Sequence, residues 1–172
     1  MGARRIVVGV HGSLGSLQAL RWATAEARER DIPLVPVIAW IPPGGDLAER
    51  GHPSPYLRRV WHESAAARLD RAFEDGLGGI PGDVRVDARV ERGDPGSVLV
   101  DVACRDGDVL VIGTGRRHPV GRALRRSTGR YCLAHATCPV LGVPPSALMD
   151  SVSRAWPRPR SWTVRGVAHE AR

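Results

Sequence analysis

The sequence contains no lysine and no asparagine, and it has few aromatic residues and cysteines. All 25 of its basic residues are therefore arginines, a bias that codon usage in a GC-rich genome produces. Its apolar runs are short, such as residues 6–10 and 109–112, whereas a membrane-spanning helix needs about 20 apolar residues. Because Met1 leads almost directly into the first of these runs, we expect no signal peptide, no membrane association and a cytoplasmic location.

The small number of cysteines excludes a disulfide scaffold. Cys104, Cys132 and Cys138 show no CxxC spacing and are odd in number. They predict buried, reduced thiols of a cytoplasmic protein. The histidines do not have ligand spacing either, so we expect no metal site.

What is present is the composition of an ordinary globular domain, with 42% hydrophobic and 25% charged residues in a chain of 172. A chain of this length can bury a sizeable core without metals or cross-links. The formal net charge of +7 points to an anionic partner only if the arginines are clustered.

Strand-like and helix-like patterns alternate along the chain. Helical signals occur in four segments: residues 14–30, residues from about 58 to 77, the segment opened by Asp94-Pro95, and a segment reaching Ala136. Apolar or alternating runs predict strands between them; they lie near residues 5–10, 34–40, 84–90, 108–113 and 139–143. This order predicts an α/β fold: a doubly wound, five-stranded parallel sheet with strand order 3-2-1-4-5.

Two segments do not fit this alternation. Residues 41–55 are rich in proline and glycine, which predicts a loop. After Pro145 no amphipathic period remains, so we predict a domain over residues 1–145 and a disordered basic tail of Arg, Pro and Trp over residues 146–172. Pro36, inside the second strand, indicates an edge position or a local irregularity.

Ligands of open parallel sheets bind beyond the carboxyl ends of the strands, where the strand order reverses. The predicted order places that point between the first and fourth strands. The loops that follow these strands are residues 11–16 and 113–127, and the second is rich in glycine and arginine. Small residues let backbone N–H groups approach an anion and arginines add donors, so the pattern favours a phosphate-bearing ligand. A solvated basic loop is the alternative interpretation.

Several motifs together resemble the universal stress protein family. They are the opening RIVVGVHGS of residues 5–13, ERGDP at 91–95, DVLVIG at 108–113, and the segment from Ser127 to Val143, which is similar to that of actinobacterial members. The resemblance covers about residues 3–144. It implies the adenine nucleotide alpha hydrolase-like fold, a role in the stress response, and a homodimer formed through the last strand, Pro139–Val143.

The family's ATP-binding members carry Gly, two residues, Gly, nine residues, and Gly followed by Ser or Thr. Here Gly113 and Ser127 match the first and last positions, but Arg116 and Arg126 replace the second and third glycines. His11 stands where the family usually has an aspartate. Long side chains crowd a cradle built for glycine, and a neutral imidazole removes a fixed negative charge. We therefore expect ATP to bind weakly or not at all.

The candidate ligand residues lie in these two loops and at the end of the second strand. They are Val10, His11, Gly12, Ala39, Gly113, Thr114, Gly115, Arg116, Gly121, Arg126, Ser127 and Thr128. The resemblance implies ATP or another adenine nucleotide as the ligand, and the three substitutions leave no cofactor firmly assigned.

The expected function is that of a non-enzymatic accessory or regulatory protein with a degenerate nucleotide or anion site. The alternatives are a functional ATP-binding universal stress protein, with weak ATPase activity at most, and a nucleic-acid-binding protein that uses the arginine loop and the tail. Steep salt dependence of binding would distinguish the last of these.

Overall fold

The computed structural model describes residues 5–51, 53–114 and 127–146. Strands and helices alternate along these residues. In chain order they are β1 (Arg5–Gly9), α1 (Leu14–Glu29), β2 (Leu34–Trp40), α2 (Gly45–Gly51), α3 (Pro55–Leu77), β3 (Arg89–Arg92), α4 (Pro95–Val102), β4 (Asp108–Gly113), α5 (Thr128–His135) and β5 (Val140–Val143). The five strands form one parallel sheet of order β3-β2-β1-β4-β5, so the predicted architecture is confirmed.

Two apolar layers cover the sheet because successive side chains of a strand point to opposite faces. Ile6 and Val8 of β1 pack with residues of α1 and α3, including Leu20 and Phe73. Val7, between them, packs on the other face with residues of α4 and α5. Burial on both faces explains why β1 reads as a continuous apolar run rather than an alternating one.

The third strand was predicted at residues 84–90 but lies at Arg89–Arg92. Residue 86 forms only an isolated bridge with Leu34. This bridge has the same register as the Val37–Arg89 pair, so the pairing of β2 with this segment is interrupted between the two positions. The interruption falls opposite Pro36, which has no N–H to donate to this ladder. The predicted irregularity is therefore real, and it shortens the neighbouring strand β3.

Residues 41–55 were predicted to be a loop, yet they contain α2. The prolines at 42, 43, 53 and 55 lie outside residues 46–50, which include the good helix formers Leu47, Ala48 and Glu49. Gly44 and Gly45 have φ values of +84° and +80° and make the turn that precedes the helix. The prolines and glycines therefore lie at the ends of a short helix and do not prevent it from forming.

A buried ion pair joins the first and fourth strands. Arg5 Nε donates to Asp108 Oδ1 (2.8 Å) and its Nη2 donates to Oδ2 (2.9 Å). The same guanidinium donates to Val102 O at 2.7 Å, and Asp108 Oδ2 also accepts from the backbone N–H of Arg105 (3.0 Å). The two charges are therefore fully hydrogen-bonded as well as paired, which burial requires.

We predict that Asp108→Asn destabilises the protein by about 3–5 kcal/mol, because it leaves the Arg5 charge buried without its counter-ion. Urea unfolding followed by circular dichroism measures the loss. Asp83→Asn is the matched control, since Asp83 pairs with Arg28 on the exposed surface, where a hydrogen bond from Arg28 lowers the pKa of Asp83. A loss from Asp108→Asn no larger than that from the control would contradict this role.

Candidate functional site

The carboxyl ends of β1 and β4 lie side by side at the point where the strand order reverses. Val8 pairs with Val111 across these strands, and β1 pairs with β2 on its other side. From β1 the chain passes to α1 on one face of the sheet, whereas α5 lies on the opposite face. This arrangement opens a crevice between the two loops, the usual ligand position of the fold.

The first loop is organised by hydroxyl groups around the start of α1. Gly12 has a φ of +85°, a conformation that glycine adopts without a steric cost. Ser13 caps the helix by accepting from the N–H of Ser16 (3.2 Å), and Ser16 Oγ donates to the Ser13 carbonyl (2.9 Å). The N–H of His11 donates to Ser16 Oγ at 3.4 Å.

The imidazole of His11 is exposed at this loop, and its Nε2 lies 3.1 Å from Ser13 Oγ. A serine next to an imidazole resembles a nucleophile and base, but such a pair also needs a group that orients the ring. No side chain among the described residues is hydrogen-bonded to the other nitrogen of this ring. Ser13 also caps α1, so its hydroxyl contacts both the His11 ring and the backbone of the helix.

The second loop begins with a very close packing of two backbones. A Cβ on Gly113 would lie 2.3 Å from the carbonyl carbon of Gly15 and 2.6 Å from the nitrogen of Ser16. The end of β4 therefore touches the first turn of α1 directly. Gly113 was predicted as a ligand residue; what the structure shows is its close packing against α1.

Thr114 begins the segment beyond β4. Its N–H donates to the carbonyl of Val143 (2.8 Å), so this amide is occupied, while the side chain is exposed. At the other end of this segment, Ser127 is the N-cap residue of α5 but makes no side-chain cap hydrogen bond. The exposed Ser127 hydroxyl is thus available to a ligand, next to the partly buried Thr128 at the start of the helix.

Val10 and Ala39 line the base of the site. Val10 is buried, and its N–H donates to the carbonyl of Val37 at 2.8 Å. Ala39 is half-buried near the end of β2. The Gly9–Val37 register, continued by two residues, places His11 beside Ala39. The structure therefore brings together Val10, His11, Gly12, Ala39, Gly113 and Thr114 at this edge of the sheet.

Several predicted features lie outside the described residues. They are the candidate residues Gly115, Arg116, Gly121 and Arg126, and all of the predicted tail except Ser146. Within the described ranges, no cluster of His, Cys, Asp and Glu is suited to holding a metal ion. None of the helices in those ranges is both long and apolar enough to cross a membrane.

A cluster that the sequence did not reveal lies at the carboxyl ends of β2 and β3. Glu49 of α2 is buried and pairs with Arg58 (Nε–Oε1 2.8 Å) and with Arg92. The guanidinium carbon of Arg92 lies 5.9 Å from the centroid of the Trp40 ring, which also contacts Trp61. The cluster was missed because residues 41–55 were predicted to be a loop. In the structure, the helix α2 places Glu49 between the two arginines.

The comparisons with known proteins agree with this fold. The model of the universal stress protein family matches residues 2–144, so the chain belongs to the universal stress protein family. Two relatives are Mycobacterium tuberculosis proteins, universal stress protein Rv3134c (32% identical over 145 residues, 84% of this chain) and Rv2624c (29% over 139 residues, 80%). The chain spans only about half of their lengths, 50% and 47% respectively.

Solved structures of the family share the architecture. A universal stress protein in complex with cAMP is 25% identical, with a TM-score of 0.53, 85% coverage of this chain and 100% of that one. The Archaeoglobus fulgidus protein in complex with dAMP is 18% identical, with a TM-score of 0.52 and coverages of 83% and 99%, and it supports the fold alone. The adenine nucleotide alpha hydrolase-like fold is thereby confirmed.

We predict that Gly113→Ala destabilises the protein by about 1–3 kcal/mol, because the added methyl group forces β4 away from the backbone of α1. Thermal and urea unfolding provide the measurement. Gly76→Ala in α3 is the control: its Cβ would lie at an ordinary 3.5 Å from Leu20, and alanine favours a helix by up to about 1 kcal/mol. Equal stability of the two variants would show that the strand–helix contact tolerates a side chain.

Proposed function

We propose that this chain is a non-enzymatic accessory or regulatory protein of the stress response, with an adenine-nucleotide site of low affinity at the ends of β1 and β4. One observation carries the proposal: the loop after β1 presents the exposed His11 imidazole, held by Ser13, where the family usually has an acid. The backbone frame of a nucleotide site is thus present, while one of its ligand groups has changed.

Support for the ligand class comes from the frame and from the relatives. Two universal stress proteins of the same fold have been solved with cAMP and with dAMP. In this chain Ser127 is exposed, and it is the N-cap residue of α5 without a side-chain cap hydrogen bond. Helix N-termini and hydroxyl groups are suitable donors for a phosphate.

The reduced affinity follows from three replaced residues. An aspartate would offer a negative charge and two acceptor oxygens, whereas an imidazole carries no negative charge and offers at most one acceptor nitrogen. Arg116 and Arg126 stand at glycine positions of the family pattern. A long side chain at such a position needs space that glycine leaves to the phosphates.

The absence of catalysis is proposed from the groups that the described part of the site presents. His11 is paired with a hydroxyl that also caps α1, and no carboxylate among the described residues bonds its ring. General-base chemistry would need a ring held in one orientation near an attacking group. A cytoplasmic location belongs to the same proposal, because a reducing compartment keeps an exposed thiol such as Cys104 free.

We also propose that the protein forms a homodimer through β5. This strand lies at the edge of the sheet and pairs only with β4 among the described strands. Its apolar residue Leu141 is 37% exposed. An unpaired apolar edge strand is prone to association, and pairing with a second copy would cover it.

We predict that the protein binds ATP with a dissociation constant above about 100 μM, corresponding to less than about 5.5 kcal/mol. The triple variant His11→Asp, Arg116→Gly, Arg126→Gly should bind at least tenfold more tightly, because it restores the acid and removes two side chains. Titration calorimetry with ATP and with AMP measures both proteins, and phosphate release from ATP is assayed in the same samples.

The control for this series is Arg85→Gly with Arg105→Gly, which removes two exposed arginines at the opposite edge of the sheet. It should leave nucleotide affinity unchanged. Micromolar ATP binding by the natural chain would show that its arginines are phosphate ligands. Steady turnover of ATP would contradict the non-enzymatic assignment.

We predict that the chain is a dimer at tens of micromolar and that Leu141→Lys shifts it toward monomer at least tenfold in dissociation constant. A charge in the apolar edge opposes burial against a second copy. Light scattering over a concentration series provides the measurement. Leu57→Lys, at a comparably exposed position near the start of α3, is the control and should leave the dimer intact. A monomeric natural chain would refute the proposal.

A further inference from the structure

Two cysteines line one groove at the amino edge of the sheet, far from the nucleotide crevice. The groove has a volume of about 600 Å³, and Trp22, Val109 and Leu141 are among its apolar lining residues. Cys104 and Cys138 both contribute to its wall. The third cysteine, Cys132, is buried beneath α5 and does not reach the groove. Only two of the three thiols therefore share an accessible surface.

The start of β5 fixes the position of Cys138. Leu110 pairs with Val140, and its N–H donates to the carbonyl of Pro139 (2.9 Å). Continuing this register back by two residues places Cys138 beside Asp108, the first residue of β4. Neighbouring strands are about 4.8 Å apart, so Cys138 lies next to the turn that enters β4.

The same aspartate fixes the turn that carries Cys104. The N–H of Asp108 donates to the carbonyl of Arg105 (3.0 Å), and its Oδ2 accepts from the N–H of Arg105 (3.0 Å). Cys104 immediately precedes Arg105, so the hydrogen bonds between Arg105 and Asp108 also restrain the backbone of Cys104. Asp108 thus places the two cysteines in adjoining segments that are 34 positions apart in sequence.

The two thiols differ in exposure. Cys104 is exposed, although it was predicted to be buried; it lies where the chain reverses after α4. Cys138 is half-buried, and burial raises the pKa of its thiol, with the nearby Asp108 carboxylate adding to the shift. Cys104 is therefore the thiol that meets a dissolved oxidant first.

We propose that Cys104 and Cys138 form a modification site, in which a hydroperoxide converts the two thiols into an intramolecular disulfide. The Cys104 thiolate attacks one peroxide oxygen; the O–O bond breaks, an alcohol or water leaves, and Cys104 becomes a sulfenic acid. The Cys138 thiolate then attacks that sulfur. An S–S bond forms, the S–O bond breaks, and hydroxide leaves as water after taking up a proton. The two thiols lose two electrons, and the peroxide gains them.

The test uses the full reduced chain and hydrogen peroxide as the probe. After oxidation and unfolding, free thiols should fall from three to one per chain, with an intact mass lower by two hydrogens and full recovery in dithiothreitol. Peptide mapping without reduction should join Cys104 to Cys138. Cys132→Ser is the control and should still form the link, whereas Cys104→Ser and Cys138→Ser should not.

Cys104→Ser alters an exposed side chain, so the test does not depend on whether the Cys138 variant folds. A disulfide that involves Cys132, a disulfide between two chains, or Cys104 ending as a sulfinic acid would each overturn the proposal. Retention of three free thiols would overturn it as well.

Discussion

The buried pair of Arg5 and Asp108 is the interaction on which the organisation of the molecule depends. It lies at the start of the two strands between which the chain order reverses, and it also binds the end of α4 through Val102. A buried charge pair rarely adds much stability over an apolar pair of the same shape, but it tolerates few arrangements. Here it fixes the register of β1 against β4 at one edge. The contact between Gly113 and Gly15 fixes the approach of β4 to α1 at the other.

Between these two constraints, the candidate crevice is preorganised by backbone rather than by side chains. The cap of α1, the turn at Gly12 and the link from Thr114 to Val143 are all hydrogen-bonded within the protein. Side chains such as His11 can change without loss of this frame. That separation explains how a family can keep one fold while the ligand groups at its carboxyl edge diverge.

Much of the fold could be predicted from local patterns, because apolar runs and helix caps such as Asp94-Pro95 act over a few residues. The shortened β3 was missed because its cause, Pro36, lies on a different strand. The meeting of the loops that carry His11 and Gly113 at one edge of the sheet could be predicted from their positions after the first and fourth strands. The packing of Gly113 on Gly15 was not found, because a contact between residues about one hundred positions apart leaves no trace in a short window.

The two edges of the sheet differ in a way that limits assembly. At β3 the edge is interrupted opposite Pro36 and rich in charge, with Arg89 and Arg92 at its ends. At β5 the edge is regular and apolar. Charges and irregularities disfavour edge-to-edge pairing, so β5 is the edge that the proposed dimer would extend. Pairing of β5 with β5 of a second copy would use that edge in both chains, and such an assembly would close at two copies instead of growing into an open filament.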